Sequence, residues 1–109
     1  MTGLREVKEM KKCTFYRTVY SGRQVKAVKT EGFCETLIDK DGNEITLCFH
    51  KASEKVWAAT EKSTGFLVCH SDKRMNALEK AKEYLDMIYE KMQQSEKYKT
   101  IISKAYEEG

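Results

Sequence analysis

Residues 33–49 read FCETLIDKDGNEITLCF and contain the clearest hairpin signal of the chain. Two apolar runs, residues 33–38 and 45–49, flank a polar turn in which Asp41-Gly42 favours the positive φ angles of a tight connection. Alternate residues of the second run are apolar, which is typical of a strand with one buried face. The sequence therefore predicts a β-hairpin here, with a shared face formed by Ile45, Leu47 and Phe49.

The segments on either side of this hairpin also predict strands. Residues 13–20, CTFYRTVY, are dense in β-branched and aromatic side chains, and residues 24–30 follow a Ser-Gly turn as the return arm of a hairpin. Downstream, residues 56–60 and 66–69 pair across a five-residue connection, 61–65. Five or six strands thus follow one another through short connections, for which antiparallel pairing is the default.

After His70 the apolar period changes from two to about 3.6, which indicates helix. Ser71 is a plausible N-cap. Residues 93–95 can interrupt the helix before a second apolar stripe, although one continuous helix is equally compatible because neither Gly nor Pro lies between the stripes. The first stripe consists of Leu78, Ala81, Leu85, Ile88 and Met92, and the second of Tyr98, Ile101, Ile102 and Ala105.

A chain of 109 residues is close to the commonest size of a single domain. We therefore expect one α+β domain over residues 13–109. Its antiparallel sheet of five to six strands (13–70) would be packed by one or two C-terminal helices (71–109). Residues 1–12 have short helical spacing and predict an N-terminal arm or short helix.

Composition indicates a folded cytosolic protein. A hydrophobic fraction of 40% with 10% aromatic residues is enough for a packed core. No run approaches the roughly 18 apolar residues that cross a bilayer, and the first twelve residues carry charges where a signal peptide is apolar. We expect a cytoplasmic protein without a membrane partner. Reduced core thiols are favoured over disulfides for the four cysteines, Cys13, Cys34, Cys48 and Cys69.

Two patterns resemble metal sites without completing one. Asp39 to Asn43 is similar to the start of a calcium loop, but an EF-hand needs glycine at loop position six and glutamate at twelve, where this chain has Glu44 and His50. Potential zinc ligands lie in two short clusters, whose spacing within strands allows at most three to converge. These residues are Cys48, His50, Cys69 and His70.

Catalysis is not predicted. The six glycines are scattered and form no phosphate-binding loop. No family signature surrounds a cysteine that could serve as a nucleophile beside histidine. We therefore expect no enzymatic activity, no cofactor and no metal.

Positive charge is concentrated at the N-terminal end. Residues 1–30 hold eight Lys or Arg against two Glu, whereas residues 31–70 hold four basic against seven acidic side chains. Residues 71–109 hold eight of each. An anionic partner would therefore meet the N-terminal part of the chain.

The first predicted hairpin combines tyrosines with basic residues, which can stack on bases and neutralise phosphates. The favoured alternative is that the tyrosines pack under a helix while the lysines protect an edge strand. The candidate partner-binding residues here are Tyr16, Arg17, Tyr20, Arg23, Lys26 and Lys29.

Two other apolar features are interpreted as core. Trp57 is expected to face the Leu78 to Met92 stripe rather than to anchor a partner. Met75, Met87 and Met92 could form an adaptable contact surface, but at helical spacing core packing is favoured.

Residues 56–78 resemble the C-terminal half of a double-stranded RNA-binding domain, because a hairpin, VWAAT and STGF, feeds a helix that opens with a basic pair, SDKRMNAL. The resemblance implies a phosphate clamp formed by Lys73 and Arg74. In size, charge and lack of catalytic signatures, the whole chain is also similar to small phage or mobile-element accessory proteins, including anti-CRISPR inhibitors. That resemblance implies a compact protein that occludes a site on a larger protein or ribonucleoprotein complex.

Three functions follow from these patterns. The favoured one is a non-catalytic, protein-binding inhibitor or adaptor, for which the second resemblance implies the anti-CRISPR type. The second is nucleic-acid binding through the basic hairpin and the helix start. The third is a self-associating structural protein that uses the helical tail from Tyr84 to Tyr106 as a dimer seam. The sequence leaves monomer and homodimer open.

Overall fold

The structure, a computed structural model, describes residues 10–109. These residues form a five-stranded antiparallel sheet followed by three helices, with the strands in sequence order across the sheet. The predicted α+β class is confirmed, with three helices where one or two were expected. The strands are β1 (Lys11–Ser21), β2 (Gln24–Ile38), β3 (Glu44–Ser53), β4 (Val56–Glu61) and β5 (Leu67–Ser71), and the helices are α1 (Arg74–Lys82), α2 (Leu85–Gln93) and α3 (Glu96–Glu108).

One strand replaces the two that were predicted over residues 24–30 and 33–38. The first part of β2 pairs with β1 and its last part with β3. Gly32 pairs with Cys13 just before residues 33 and 34, which pair with both β1 and β3, and a Cβ atom at Gly32 would collide with the carbonyl oxygen of Phe49. Glycine thus permits the close backbone approach at the point where β2 passes from one partner strand to the other.

Two of the helices, α1 and α2, cover one face of the sheet. Cross-strand register places Phe33 opposite Phe49, and Phe49 opposite Ala59, so these side chains share a face. α1 packs on the same face with three buried residues, and α2 adds one. This main core includes Ile45, Leu47, Phe49, Ala59, Phe66, Ala77, Leu78, Ala81 and Ile88.

The opposite face is covered by the first hairpin. Phe15 in β1 and Cys48 in β3 are both fully buried, although register places them on the face away from α1. The Thr18 N–H donates to the carbonyl of Gly65 at 2.8 Å, which joins β1 to the connection between β4 and β5. The sheet therefore curls until its first strand reaches the far side.

The helical region begins later and breaks earlier than its spacing predicts. Ser71 belongs to β5 rather than capping a helix, and α1 follows Lys73. The Tyr84 N–H donates to the carbonyl of Ala81 at 3.0 Å, three residues back, and this tight turn ends α1. The turn divides the predicted first stripe between α1 and α2. The sequence did not reveal the turn, because the apolar spacing continues across it.

The burial of the cysteines, Trp57 and the methionines agrees in part with the predicted burial. The thiols are free and lie in strands, with Cys48 buried and the other three half-buried. Trp57 is half-buried against the main core, whereas the core placement of Met75 and Met87 is wrong because both are exposed.

The predicted N-terminal arm lies mostly outside the described residues. Met10, the first described residue, is buried in the main core, and residues 11 and 12 begin β1. Among the helices of residues 10–109, none has the length and apolarity that crossing a bilayer requires.

Candidate functional site

The tyrosines of the first hairpin are engaged within the chain. Tyr16 is buried, and its ring meets the ring of Tyr106 in α3 edge to face, with centroids 4.8 Å apart. Tyr20 is exposed, but its hydroxyl hydrogen-bonds the hydroxyl of Tyr98, also in α3. Tyr16 therefore packs under a helix, and only Tyr20 offers much ring surface to a base.

The basic residues of this hairpin are divided between two faces. Lys29 is directly opposite Tyr16, whereas Lys26 is opposite Val19, which shares its face with Arg17. The Arg17 Nε donates to the hydroxyl of Thr30 at 2.8 Å. Arg23 lies exposed at the turn. The hairpin thus does not bring its basic side chains onto one stacking surface.

The two basic residues at the start of α1, Lys73 and Arg74, lie in different environments. The Arg74 guanidinium lies 4.2 Å from the ring centroid of Phe33 and 5.8 Å from that of Trp57, in cation–π geometry. Lys73 is exposed beside it. Arg74 is therefore used to hold α1 on the sheet, which leaves Lys73 as the freely extended cation of the pair.

The four potential zinc ligands do not all share one face of the sheet. Register places Cys48, His50 and His70 on one face of the sheet, whereas Cys69 lies on the other, with its Sγ 3.5 Å from the carbonyl oxygen of Ala77. Burial lowers the pKa of His50 and raises the pKa values of Cys48 and Cys69. A raised thiol pKa keeps sulfur protonated near neutral pH, which disfavours both nucleophilic attack and metal ligation.

Within residues 10–109, one acidic group has ligand atoms close enough for a cation: Asp39, Asp41 and Asp86. The Asp39 carboxylate accepts hydrogen bonds from the N–H groups of Asp41 and Asn43, at 2.9 and 2.8 Å. Lys40 pairs with Asp86 at 3.1 Å. These contacts give the three carboxylates a structural role: Asp39 stabilises the hairpin turn, and the ion pair of Lys40 with Asp86 links the turn to α2.

A groove of about 510 Å³ lies between β5 and the helices α1 and α2. Phe66 and Ile88 are buried along it, and three large apolar side chains stand exposed around it. Leu67 is 50% exposed, Tyr84 41% and Met87 66%. Exposed apolar side chains that gather at one depression are typical of an interaction site.

Cations surround this apolar groove. The Lys80 ammonium donates to the backbone carbonyl of His70 at 3.1 Å, and the Lys91 ammonium lies 4.8 Å from the ring centroid of Phe66. His70 is exposed at the same edge. Among the residues that the structure describes, no Asp or Glu lines the groove and no carboxylate forms an ion pair with either lysine. The groove is therefore apolar and positively charged.

An open strand edge borders the groove. β5 is the last strand of the sheet, and within residues 10–109 its strand neighbour is β4 alone. Residues 66–70 line the groove in succession. The site therefore combines a row of backbone groups with apolar side chains and cations.

A second groove, of about 430 Å³, lies beside α3, and its buried carboxylate, that of Glu61, is satisfied by hydrogen bonds within the chain. The buried Glu61 carboxylate accepts hydrogen bonds from Ser63 and Thr64 at 2.6 to 2.9 Å. The Lys62 ammonium lies 5.9 Å from the ring centroid of Tyr106. Burial raises the pKa of Tyr106 to about 12, so this phenol stays neutral at physiological pH.

Sequence reasoning gave Leu67 no binding role, named Tyr84 only as the start of a dimer seam, and favoured core packing over a contact surface for Met87. A usable signal was present in the helices, because Tyr84 and Met87 lie outside the stripe that runs from Leu78 to Met92. Residues three apart are neighbours on a helical surface, so the pair indicates a second apolar patch. Leu67 had no such signal, since its exposure depends on where the sheet ends.

Comparison with known proteins adds no assignment. Protein-family models, curated proteins and solved structures were each searched with this chain, and none of them matches it.

Proposed function

We propose that the protein is a non-catalytic inhibitor or adaptor that binds a partner protein in the groove beside β5. The observation that carries the proposal is the gathering of Leu67, Tyr84 and Met87 around an apolar depression at an open strand edge. Tyr and Met are enriched at protein interfaces, and a few such side chains dominate the binding energy when a partner covers them.

The proposed partner is a larger protein or ribonucleoprotein complex in the cytoplasm. The resemblance to anti-CRISPR inhibitors suggests a bacterial defence complex. Binding there would occlude a site by mass action and would need no chemistry from the bound protein. This agrees with the protonated thiols and the internally satisfied carboxylates described above.

The geometry supports nucleic-acid binding less well. Of the two hairpin tyrosines, Tyr16 lies beneath α3, and Arg74 is stacked on Phe33 and Trp57. A dimer seam along the C-terminal tail is also less well supported, because Tyr98 and Tyr106 contact β1 of their own chain.

The experiment has two stages. Light scattering on eluted protein, with and without mixed RNA and DNA at low and high salt, first separates self-association and nucleic-acid binding from the proposal. Affinity capture from a bacterial lysate then supplies an identified target, and the complex is reconstituted from purified components.

The decisive variants are a matched pair. Met87→Ser alters the groove, whereas Ile38→Ser alters a residue of similar exposure, 62%, that does not line it. We expect a stoichiometric complex that Met87→Ser weakens about tenfold and Ile38→Ser leaves unchanged. A complex that is equally sensitive to both variants, or a ligand shift seen only with nucleic acid at low salt, would contradict the proposal.

A further inference from the structure

We infer that the partner contributes an extended segment in which apolar and acidic residues alternate, and that this segment adds to the sheet as a strand beside β5. The inference rests on the proposed function and specifies the chemistry of what the groove receives. Three properties of the groove carry it: the open strand edge, the order of apolar and basic groups around it, and the absence of carboxylates among its described lining residues.

The strand edge favours an extended ligand. An edge strand presents unpaired N–H and C=O groups that pair with any strand of suitable geometry. One carbonyl of β5, that of His70, already accepts a hydrogen bond from outside the sheet, since the Lys80 ammonium donates to it at 3.1 Å. An added strand would supply N–H donors along the same row and release the flexible lysine for a carboxylate.

The side chains around the edge favour alternation. Successive residues of a bound strand point to opposite sides, about 3.3 Å apart along the chain. One set can pack against Leu67, Met87 and the buried Ile88, which form the apolar part of the groove. The other side chains of the bound strand would point away from these apolar residues, toward solvent and toward Lys80 and Lys91. Charged residues are therefore favoured at those positions.

The positive charge of the groove favours acidic residues at the positions of the bound strand that point away from its apolar part. Lys80 belongs to α1 and Lys91 to α2, so cations approach the groove from both helices. Each lysine contacts a carbonyl or an aromatic ring rather than a carboxylate of the described chain. Acidic side chains would complement these cations, and basic ones would be repelled.

The same charges disfavour a second copy of this chain as the occupant. Pairing β5 with β5 of another copy would bring two sets of Lys80 and Lys91 to one seam. Like charges placed opposite each other oppose association. A homodimer formed through β5 is therefore one outcome that would overturn the inference.

The test uses three synthetic peptides of about eight residues as probes. The first alternates Val with Glu, the second alternates Val with Lys, and the third is the acidic peptide with alternate backbone nitrogens methylated. Binding to the full chain is measured by the anisotropy of a fluorescein label and by amide chemical shifts. We expect the acidic peptide to bind about tenfold more tightly than the basic one and to shift the amides of residues 67–71. Methylation should abolish binding, because it removes the N–H donors.

Charge reversal provides the specificity control. Lys80→Glu combined with Lys91→Glu should transfer the preference to the lysine peptide. The matched pair Lys82→Glu and Lys97→Glu makes the same charge change on exposed positions outside the groove and should leave the acidic preference intact. Unfolding transitions of all variants confirm that the fold is retained.

Failure of the inference differs from failure of the proposed function. Equal binding of the acidic and basic peptides, or no binding of any peptide, overturns the strand inference. If a target complex is nevertheless lost with Met87→Ser and kept with Ile38→Ser, protein binding in the groove stands and only the form of the bound segment is wrong. Self-association that Lys80→Glu strengthens would overturn the inference in favour of a second copy.

Discussion

The two edge strands of the sheet, β1 and β5, differ in how far other parts of the chain cover them. At the β1 edge, the Thr18 N–H donates to Gly65 and the Thr18 hydroxyl donates to the Thr64 carbonyl at 2.5 Å, while α3 packs alongside. At the β5 edge, a short strand is bordered by an apolar groove with cations. An exposed edge invites association, and proteins normally cover it. The contrast indicates that the β1 edge contributes to stability, and it supports the proposal that the β5 edge binds a partner.

The largest expected difference comes from truncating one apolar residue at each edge. Phe15→Ala removes a fully buried ring from β1 and should cost about 3–5 kcal/mol of unfolding free energy. Leu67→Ala removes a half-exposed side chain from β5 and should cost less than about 1 kcal/mol. Urea unfolding measures both. Similar losses would mean that the β5 edge is as integral to the core as the β1 edge.

A second pair of variants tests how the β1 edge is closed. Gly65 has a φ of 73°, and a Cβ there would lie 2.8 Å from both the Thr18 nitrogen and the Ile102 Cδ1. Gly22 has a similar φ of 65° with open space around it. Gly22→Ala should therefore cost about 1 kcal/mol for backbone strain alone. Gly65→Ala should cost about 2–4 kcal/mol, because overpacking is added to the strain.

Unfolding curves of the two glycine variants provide the comparison. Equal destabilisation would show that Thr18 and Ile102 do not close the space around Gly65, and the account of the closed edge would then fail.

A third pair compares tyrosines of almost equal exposure, Tyr106 at 40% and Tyr84 at 41%. Tyr106→Ala removes the ring that meets Tyr16 and should cost about 1–2 kcal/mol. Tyr84→Ala should change stability by less than about 0.5 kcal/mol while weakening the complex with the partner. Calorimetric unfolding measures the stability of both variants, and a binding titration measures their affinity for the partner. Loss of stability without loss of binding in Tyr84→Ala would contradict the assignment of the groove.

The smallest expected effect is an alkaline loss of stability at the closed edge. Burial raises the pKa of Cys13, in β1, from its ordinary value of 9.0 to about 11, and the neighbouring Cys34 thiol adds to the shift. The folded state therefore favours the protonated thiol. Its contribution is fully present below pH 9 and is lost as pH rises from 9 through 11. The urea midpoint should fall over this range, and Cys13→Ala should reduce the fall.

Local sequence chemistry predicted the hairpins well. At the turn that follows β2, Gly42 has a φ of 85° and Asp39 accepts the N–H groups of Asp41 and Asn43, as the Asp-Gly signal suggested. The apolar alternation of β3 also placed its buried face correctly. These features depend on residues close together in the chain, which is why they could be read without the fold.

Features that depend on distant contacts were not predictable in the same way. The merger of two predicted strands into β2 depends on Gly32 meeting Phe49 across the sheet. The turn after Ala81 carries no Gly or Pro signal. The exposure of Met87 follows from that turn, since Met87 shares its helix with the buried Ile88 but projects from another side. The groove could therefore be recognised only once the helices were placed.

The most direct test of the central claim is hydrogen exchange on the protein alone and in a complex with its identified partner. The account predicts that amides of residues 66–71 and 84–91 gain protection in the complex, while those of residues 11–21 are already protected and change little. Protection gained instead over residues 17–29, with the β5 edge unchanged, would contradict it and would move the interaction to the basic hairpin.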